Sequence, residues 1–442
     1  MDFFALFAII QKENPIAFLL ESLGEETYDS RYSAIGFAPQ HELYAIQDKF
    51  FIDGKEIACE NPYYFIRENF PKQVISRHYA GGLVGYLGYD SANYFEKNLN
   101  ISYHPHFPAF YFGYYTDGLV YDKFTGEIYY FYYNTERQST IERYLEELRK
   151  TSYREEKVEV SFKGFSKSQK EHEEMVYAVL EEIKAGNTFQ CQIGLSLFYE
   201  LRGDPLMLYA RLREINPSPY MFYLKFRDLI LAGASPELVF RLRQGEMETY
   251  PLAGTTHRGS NAEEDRRLVR SLLTDPKEIA EHNMLIDLHR NDIGRVARFG
   301  TVKVRRFFDI KKFSHVQHIS SEVVGIISPK HDMFTALASV FPAGTLSGAP
   351  KIESMKIIDR IEKEPRGPYG GAVGHFGFNG DCTFAIPIRS FFVKGNKIFA
   401  RASGGIVYDS RPEKEYREIM GKLAAIQKAF SLYEVKNAGT HY

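Results

Sequence analysis

The chain has 442 residues, of which 44% are hydrophobic and 25% are charged, and its formal net charge at pH 7 is -2. This composition is typical of a globular protein with one very large domain or two closely packed ones. The near-zero charge gives no electrostatic reason to expect nucleic acid or an anionic membrane surface as a partner. No apolar run approaches the roughly 18 residues of a membrane span. The chain contains only three widely spaced cysteines, so a cytoplasmic protein without disulfides is expected.

The first third of the chain predicts strands joined by tight turns. Asp53-Gly54 lies between two strand-like runs and indicates a hairpin. Asp117-Gly118 and Thr125-Gly126 hold similar positions between the alternating apolar runs of DGLVYDKFTGEIYYFYY. A charged amphipathic helix is expected over residues 136–150.

A compositional change divides the chain after these elements. Residues 151–167 are polar and charged, and they are the expected boundary between residues 1–150 and 168–432, two regions expected to pack as one unit. The sequence SQKE at 168–171 forms a capping box and indicates the start of a helix. Strand-like runs then alternate with helix signals as far as a final helix near 412–430. The expected class is α+β with largely antiparallel sheets.

One helix in the second region carries a carboxylate on an apolar face. Asp275 suits an N-cap, Pro276 suits the first helical position and Glu278 completes an Asp-x-x-Glu capping box. On a 3.6-residue period, Glu281 then shares a face with Leu285. A buried carboxylate needs a cation, a hydrogen-bond network or a shifted pKa. A metal ion satisfies that need, and so does a salt bridge near the helix end.

The last helix carries a second pair of carboxylates. Ser410 and Glu413 are placed as a capping box, and Glu415 and Glu418 lie one turn apart. The two glutamate pairs of the chain can converge on one Mg²⁺, which commonly takes one or two carboxylates together with water and substrate oxygens. An ordinary solvated helix with Glu418 paired to Lys422 explains the same spacing.

Several glycine clusters and single side chains are further candidates. Backbone N–H groups in glycine clusters can approach an anion closely, although each cluster taken alone is more simply explained as a turn. The clusters lie at 253–255, 341–348, 370–371 and 404–405. Arg389, His318 and Tyr369 suit substrate binding or catalysis, and each also suits an ion pair, a satisfied polar contact or packing. The residues alone therefore favour a magnesium-dependent enzyme with an anionic substrate and do not indicate a reaction.

These segments occur together, in this order, in one enzyme family. The chain resembles the chorismate-utilising enzymes, and most closely the component I group of the anthranilate synthases. The matching blocks are SPE at 235–237, PLAGTTHRG at 251–259, EHNMLIDLHRNDIGRV at 281–296, HVQHI at 315–319, FPAGTLSGAPK at 341–351, RGPYGGAVG at 366–374, FAIPIRS at 384–390 and GGIVYDSRPEKEYRE at 404–418. The resemblance implies antiparallel sheets packed as a sandwich with helices outside, a regulatory region at 1–150 and a chorismate-binding catalytic region at 168–432.

The resemblance also implies roles for individual side chains. Glu281 and Glu418 would bind Mg²⁺, with Glu278 and Glu415 behind them, and the metal would hold the ring carboxylate of chorismate. Glu237 would protonate the departing C4 hydroxyl as a general acid. The implied catalytic histidine is His318, whose step the resemblance leaves open. The implied substrate-binding positions are Gly254, Thr255, Tyr369, Arg389, Ser403, Gly404 and Gly405.

Two positions separate the chain from related reactions. Aminodeoxychorismate synthases commonly carry a nucleophilic lysine where this chain has Ala253, which cannot attack the ring. Isochorismate and salicylate synthases use a lysine to activate water, and the aligned residue here is Gln190 or Gln192, neither of which is a base. Both differences favour ammonia as the nucleophile.

A regulatory signature is also implied. The segments LLES at 19–22 and NPSPYM at 216–221 resemble the two halves of the family's tryptophan inhibitor site. Taken singly, the first suits a helix end and the second a proline-rich turn. The residues expected to line an inhibitor pocket are Ser22, Pro219, Tyr220 and Met221.

The expected function is that of the large subunit of an anthranilate synthase, which converts chorismate and ammonia to anthranilate and pyruvate with Mg²⁺ as cofactor and tryptophan as feedback inhibitor. No Gly-x-Cys-x-Gly glutaminase elbow occurs in the chain, so a separate glutamine amidotransferase subunit, in a heterotetramer, would supply the ammonia. The alternatives are an aminodeoxychorismate synthase component I and a non-catalytic tryptophan-binding regulator. The chain departs from the family pattern at three places. The family usually has Arg-Pro where this chain has Thr256-His257, alanine where it has His289, and glycine where it has Ser403.

Overall fold

The computed structural model describes residues 2–24, 31–71, 76, 79–133, 136–150, 157–312 and 316–435. The helices of these residues are α1 Phe3–Glu13, α2 Pro62–Asn69, α3 Gln138–Lys150, α4 Gln169–Lys184, α5 Leu206–Ile215, α6 Ala262–Thr274, α7 Pro276–Gly294, α8 Met333–Val340, α9 Lys351–Glu362 and α10 Pro412–Phe430, with short 3-10 helices at Tyr89–Tyr94 and Gly344–Leu346.

The strands of the same residues are β1 Ile16–Glu21, β2 Tyr32–Phe37, β3 His41–Ile46, β4 Lys49–Ile52, β5 Lys55–Ile57, β6 Gly82–Leu87, β7 Phe110–Tyr115, β8 Asp117–Asp122, β9 Glu127–Tyr132, β10 Glu159–Phe165, β11 Gln190–Arg202, β12 Tyr220–Phe226, β13 Leu229–Ser235, β14 Leu238–Arg243, β15 Glu246–Thr249, β16 Leu252–His257, β17 Lys303–Lys312, β18 Val316–Ile326, β19 Gly348–Ala349, β20 Ala372–Gly377, β21 Cys382–Ala385, β22 Ser390–Lys394 and β23 Lys397–Ile406.

The strands form two large antiparallel sheets. The first sheet has the order β10-β11-β23-β22-β13-β12-β1-β2-β8-β9, with β19 beside β11. The second sheet has the order β16-β18-β15-β14-β21-β20-β6-β7-β3-β4-β5, with β17 beside β18. Each sheet contains one block of strands from before residues 151–167 and one block from after them, which meet at the pair β1–β12 in the first sheet and at the pair β6–β20 in the second, so the two parts of the chain share both sheets.

The main core fills the space between the two sheets. Tyr111 of the second sheet stacks on Phe226 of the first, with ring centroids 4.2 Å apart, and Phe18 meets Tyr115 edge-on at 4.8 Å. Helices cover the other face of the first sheet, where the ring of Phe430 in α10 packs against a strand of that sheet. The expected antiparallel sandwich with helices outside is therefore confirmed. No helix within the described ranges is long and apolar enough to cross a membrane.

Two local expectations about turns have different outcomes. Asp53-Gly54 joins β4 to β5 with both residues at positive φ, as a tight hairpin requires. Asp117-Gly118 is wrong as a hairpin signal, because β7 before it belongs to the second sheet and β8 after it to the first. Thr125-Gly126 lies in the turn between the paired strands β8 and β9.

The region expected as a polar boundary contains structure. Residues 159–165 form β10, which pairs with β11 at the edge of the first sheet. An edge strand with one exposed face carries charged side chains easily, which explains its polar sequence. Residues 151–156 lie outside the described residues.

Candidate active site

The chain crosses from one sheet to the other at two adjacent places, and each crossing carries a candidate side chain. Residues 235–238 lead from β13 to β14 and contain Glu237, and residues 385–390 lead from β21 to β22 and contain Arg389. The Ile386 N–H donates to the Glu237 carbonyl at 3.0 Å, and the Ala234 N–H donates to the Arg389 carbonyl at 3.2 Å. These two backbone bonds hold the crossings together and place an acid near a guanidinium.

Arg389 is held in a costly conformation and environment. Its φ of 51° lies in the left-handed region, which side chains other than glycine rarely adopt. Burial lowers the pKa of its guanidinium, and the nearby Glu237 acts in the opposite direction. An anionic group bound beside this partly buried cation would offset the cost of its burial.

Glu237 is buried and is suited to carry a proton near neutral pH. Burial raises the pKa of its carboxyl to about 7, while a hydrogen bond from Thr345 and the positive charges of Arg389, Lys422 and Lys311 act to lower it. The Thr345 hydroxyl donates to Oε1 at 2.7 Å. A carboxyl with this pKa is present in both protonation states near neutrality, as a general acid requires.

His318 lies on β18, opposite Thr255 of β16. Its Nδ1 lies 3.1 Å from the Gly254 carbonyl oxygen. Because a carbonyl only accepts, Nδ1 carries the hydrogen, and Nε2 is the acceptor nitrogen of the neutral ring. Burial lowers the pKa of His318 to about 4, with Arg389 and Lys422 adding to the effect, so the ring is neutral at physiological pH.

Gly254 connects this histidine to the glutamates of α7. Its φ is 60°, at an irregularity in the pairing of β16 with β18. A Cβ atom added here would lie 2.9 Å from Oε2 of Glu278. Both the backbone conformation and the close approach of the carboxylate therefore require glycine at this position.

The four glutamates of the sequence prediction lie on α7 and α10. Burial raises the pKa of Glu281, and the negative charges of Glu278, Glu418 and Glu415 raise it further. The pKa values of Glu278 and Glu415 are also raised, by burial first and by charges that include Glu418. The two pairs are therefore close enough to repel one another, and a cation between them would remove the repulsion.

The donor set suits a hard divalent cation, because all four side chains offer carboxylate oxygens. Within the described residues, no three histidine, cysteine, aspartate or glutamate side chains are gathered tightly enough to hold a metal ion together. Mg²⁺ commonly binds through one or two carboxylates and completes its shell with water and substrate oxygens, so the arrangement fits that mode.

The start of α10 differs from the prediction. Its N-cap is Arg411 and makes no side-chain capping bond, so the expected Ser410–Glu413 capping box is wrong. The Ser410 hydroxyl accepts the Val407 N–H at 3.1 Å and pairs with the Glu415 carboxylate. Ser410 thus orients one of the four carboxylates.

Lys422 links the glutamates to the neighbouring strand. Its ammonium group lies 2.9 Å from Oε1 of Glu418, which is the ordinary ion pair that the spacing also suggested. The same group donates to the Ser403 carbonyl at 2.7 Å. Lys422 therefore holds α10 against β23 beside the glycine pair 404–405.

Three polar side chains form the floor of the site. The Tyr369 and Ser403 hydroxyls lie 2.9 Å apart, and the Ser403 hydroxyl donates to Oε1 of Gln192 at 3.2 Å. A Cβ on Gly405 would lie 2.7 Å from Nε2 of Gln190 and 3.0 Å from Nε2 of Gln192. Both candidate glutamines therefore border Gly405.

The residues expected to bind an inhibitor lie elsewhere, around a cavity between the two sheets. Ser22, Pro219, Tyr220 and Met221 all border this cavity of about 180 Å³. The two segments are adjacent because Glu21 of β1 pairs with Met221 of β12. Among the described residues, the buried Ser22 hydroxyl has no hydrogen-bond partner.

Sequence reasoning did not single out three residues of the site. Thr345 lies within a family block but was not assigned a role, Ser410 was assigned to a cap, and Lys422 was considered only as a partner of Glu418. Two signals were available in the sequence. Thr345 is a polar residue within the glycine-rich segment 341–351, and Lys422 lies one helical turn after the candidate ligand Glu418.

The chain was compared with known proteins. Residues 16–428 match the family of chorismate-binding enzymes. The anthranilate synthase component 1 of Leptospira biflexa is 60% identical over 98% of this chain and 94% of its own length, and that of Methanothermobacter thermautotrophicus is 42% identical over 97% and 92%. The crystal structure of anthranilate synthase component I from Streptococcus pneumoniae is 33% identical, with a TM-score of 0.82 over 91% of this chain and 93% of that one. The chain therefore belongs to the chorismate-binding enzymes and, among them, to the anthranilate synthase component 1 group.

Proposed function

We propose that the chain is the ammonia-using subunit of an anthranilate synthase and converts chorismate and ammonia to anthranilate and pyruvate in the presence of Mg²⁺. Membership of the component 1 group supports the substrate class. The observation that carries the reaction is the protonatable Glu237, with its pKa near 7, beside the partly buried Arg389 and in the field of Lys422, which pairs with Glu418. An acid, an anion-binding cation and a set of carboxylates for a metal are thus brought together.

In this proposal the substrate is held through its two carboxylates. The Arg389 guanidinium and the Tyr369 hydroxyl bind the enolpyruvyl carboxylate, the guanidinium through its planar fork. The backbone N–H groups of Gly404 and Gly405, the Ser403 hydroxyl and the segment Gly254-Thr255 complete the binding surface. The closeness of Gly405 to the two glutamines supports this assignment, because a side chain at 405 would occupy the space.

Glu281 and Glu418 are proposed to hold Mg²⁺, with Glu278 and Glu415 behind them. A Mg²⁺ ion held by these residues would supply Lewis-acid chemistry at the ring carboxylate of chorismate. The supporting observation is the mutual repulsion of these carboxylates, which raises the pKa of Glu281. A divalent cation converts that repulsion into attraction.

Glu237 is proposed to give its proton to the departing C4 hydroxyl. The required proton is present because burial keeps the carboxyl partly protonated near pH 7. The neutral His318 ring, fixed by the Gly254 carbonyl, offers Nε2 as a proton acceptor in the same cleft. The pH profile of the activity of a His318→Gln variant would identify the proton that His318 accepts.

Ammonia is the proposed nucleophile because the chain has no side chain for the alternatives. Ala253 follows Leu252 in β16 and has no amine, so a covalent attack of the aminodeoxychorismate synthase type is excluded at this position. Gln190 and Gln192 have no basic group with which to activate water. Attack of ammonia at C2, loss of the C4 hydroxyl and elimination of pyruvate then give the aromatic product.

A separate glutaminase subunit is proposed to supply the ammonia in a heterotetramer. The name component 1 of the relatives supports a multi-subunit enzyme. Burial raises the pKa of the Cys191 thiol to about 12 and also raises that of Cys382, which makes both poor nucleophiles. Cys59 lies outside any glutaminase-like sequence.

Tryptophan is proposed to bind the cavity between the sheets as a feedback inhibitor. The cavity combines apolar walls with an unpartnered buried hydroxyl on Ser22, and the Tyr220 hydroxyl near it lies 3.3 Å from Nη2 of Arg241. An aromatic amino acid offers both an apolar ring and polar groups for such a site.

The test combines the purified chain with chorismate, MgCl₂ and ammonium and follows anthranilate fluorescence and pyruvate together. Equal amounts of the two products are expected, and a chelator is expected to abolish both. Formation of 4-amino-4-deoxychorismate without pyruvate would establish the aminodeoxychorismate synthase alternative instead. Glutamine is expected to replace ammonium only after a glutaminase subunit is added, so turnover of glutamine by the chain alone would contradict the partner proposal.

A further inference from the structure

A group of charged side chains lies below the floor of the site, and all of its members except Glu364 are fully buried. Glu362 at the end of α9 and Arg366 in the segment after it pair at 2.9 Å, and Glu362 also pairs with Arg401 of β23 at 2.7 Å. Arg401 reaches Glu364 at 3.2 Å, so the two positive and two negative charges balance. Burial alone would raise the pKa of Glu362, but the two guanidinium groups outweigh it and hold the pKa low. We call these four residues the buried charge cluster.

Arg366 is the member of the cluster that points toward the site. Nη1 donates to the Leu346 carbonyl at 2.6 Å, and Nη2 donates to the Gln192 carbonyl at 2.8 Å and to Glu362 at 2.9 Å. The guanidinium also lies over the ring of Tyr89, with its carbon 4.7 Å from the ring centroid. The Tyr89 ring thus fixes one face of the planar guanidinium, and the hydrogen bonds of its nitrogens fix its orientation within the plane.

The two carbonyls that Arg366 holds belong to different halves of the site. Leu346 directly follows Thr345, whose hydroxyl donates to Glu237. Gln192 accepts the Ser403 hydroxyl, which is paired in turn with the Tyr369 hydroxyl. The two backbone segments also meet directly, because the Gln192 N–H donates to the Ser347 carbonyl at 3.0 Å.

We propose that Arg366 is a positioning residue, whose rigid fork fixes the distance between the proton donor, held through Thr345, and the substrate floor formed by Gln192, Ser403 and Tyr369. The inference rests on the proposed roles of Glu237 and the floor. Five N–H donors in one plane can bind two carbonyls and a carboxylate at fixed angles, whereas a lysine ammonium keeps the charge but not the geometry.

Arg401 offers a matched control within the same cluster. It is as deeply buried as Arg366 and pairs with the same carboxylate, Glu362. Its remaining bonds go to the Ser196 hydroxyl at 3.1 Å, to the Gly194 carbonyl at 3.4 Å and to Glu364. None of these bonds is to the Leu346 or Gln192 carbonyl, so a loss of stability without a loss of positioning is expected from its replacement.

The first experiment compares Arg366→Lys with Arg401→Lys in the complete chain, with ammonium as nitrogen source. Urea unfolding measures stability, and steady-state assays measure kcat and KM for chorismate. Arg366→Lys is expected to lower kcat/KM by about 10- to 100-fold more than Arg401→Lys, since small displacements of reacting groups have effects of this size. Both a lower kcat and a higher KM are expected, because both halves of the site move. Equal losses in the two variants would overturn the proposal.

A second variant serves if Arg366→Lys fails to fold. Glu362→Gln with Arg366→Gln removes one charge of each sign and leaves Arg401 with Glu364, so no net charge is stranded in the core. Its pH profile is then informative. The groups facing Glu237 are Thr345, Arg389, Lys422 and Lys311. Loosening the Thr345 bond is expected to shift the basic limb of kcat to higher pH, a change that a purely structural role of Arg366 would not cause.

A third measurement separates this proposal from the one on which it rests. A Glu237→Gln variant that keeps full activity would refute the proposed acid, whatever Arg366 does. If Glu237→Gln is inactive while the Arg366 variants match Arg401→Lys in kcat/KM and in pH profile, the acid stands and only the positioning role is refuted.

Discussion

The cleft around Glu237 and the cavity around Ser22 both lie on strands β12 and β13, but their charged side chains are compensated differently. Met221 of the cavity pairs with Ala234, and Tyr220 pairs with Ser235, two residues before Glu237. In the cavity wall, Glu21 pairs with Arg213 at 2.5 Å and accepts the hydroxyl of Tyr209 at 2.9 Å. The charge of Glu21 is therefore balanced before any ligand arrives.

In the cleft, the charges are held under electrostatic stress. Burial raises the pKa of Glu237 and lowers that of Arg389, and the carboxylates near Glu281 repel one another. Each of these shifts means that the ionised group destabilises the folded chain until a ligand or a proton compensates it. Removing a charge from the cleft should therefore reduce activity without reducing stability, whereas changes at the cavity should affect only the response to its ligand.

The strongest test of this contrast is Glu237→Gln. Loss of a general acid is expected to reduce kcat about 10²- to 10⁴-fold. Stability at pH 8 is expected to stay equal or rise, because an ionised buried carboxylate is replaced by a neutral amide of similar size. Anthranilate formation and urea unfolding give the two values. Glu353→Gln, at an exposed position in α9, is the control and should change neither value appreciably. A Glu237→Gln protein that is less stable than the unaltered chain would contradict the inference that the ionised, buried carboxylate of Glu237 destabilises the fold.

The proposed metal ligands give the next largest expected effect. Glu281→Gln and Glu418→Gln are each expected to raise the Mg²⁺ concentration for half-maximal activity by at least about tenfold. In a chelator, the melting temperature of Glu281→Gln should not fall, since one of several repelling carboxylates has been removed. Glu413→Gln, in the exposed first turn of the same helix as Glu418, is the matched control. An unchanged Mg²⁺ requirement in both variants would exclude these two carboxylates as ligands.

The local elements of the fold could be predicted from neighbouring residues. Asp275 caps α7 by accepting the N–H groups of Lys277 and Glu278, and the SQKE sequence at 168–171 forms the capping box of α4. These patterns act within one helical turn, so no knowledge of the rest of the chain was needed. At Ser410 the same kind of pattern misled, because the hydroxyl is engaged by Val407 and Glu415 instead.

The site itself depends on contacts that the local pattern does not contain. Alternating apolar residues do not reveal which sheet a strand joins, so the switch between sheets beside Asp117 was missed. The same switching brings Glu237 and Arg389 together across about 150 residues of chain. Periodicity alone left Glu281 undecided between an ion pair and a metal ligand. Only the ordered family blocks placed it in a chorismate site, and they gave no reason to select Thr345 or Arg366.

Ser22→Phe should weaken the response of the protein to its inhibitor, whereas the substitutions in the cleft should reduce its activity. A phenyl ring in place of the unpartnered hydroxyl fills space that the inhibitor needs, and the tryptophan concentration for half inhibition is expected to rise at least about tenfold. Because the chain has no tryptophan, emission excited at 295 nm reports almost only the added ligand. Ser139→Phe, on the exposed side of α3, is the control for adding a phenyl ring. A Ser22→Phe protein that changes ligand fluorescence as the unaltered chain does would refute the pocket.

The smallest effect expected is a shift in pH dependence within the cleft. Glu237 is proposed to act when protonated, so kcat should fall as pH rises through its pKa of about 7. The pKa of Glu237 in the folded chain lies above the usual glutamate value of 4.5, so the protonated carboxyl favours folding below pH 4.5, and this contribution is lost as pH rises through 7. Thr345→Val removes a hydrogen bond that lowers this pKa, so the basic limb should move to higher pH by less than about one unit. Profiles of kcat and urea unfolding at matched pH values measure both changes. A basic limb that persists unchanged in Glu237→Gln would show that another group titrates there, and the pKa argument for Glu237 as the acid would fail. The contrast in charge between cleft and cavity would then rest on the glutamates of α7 and α10 alone.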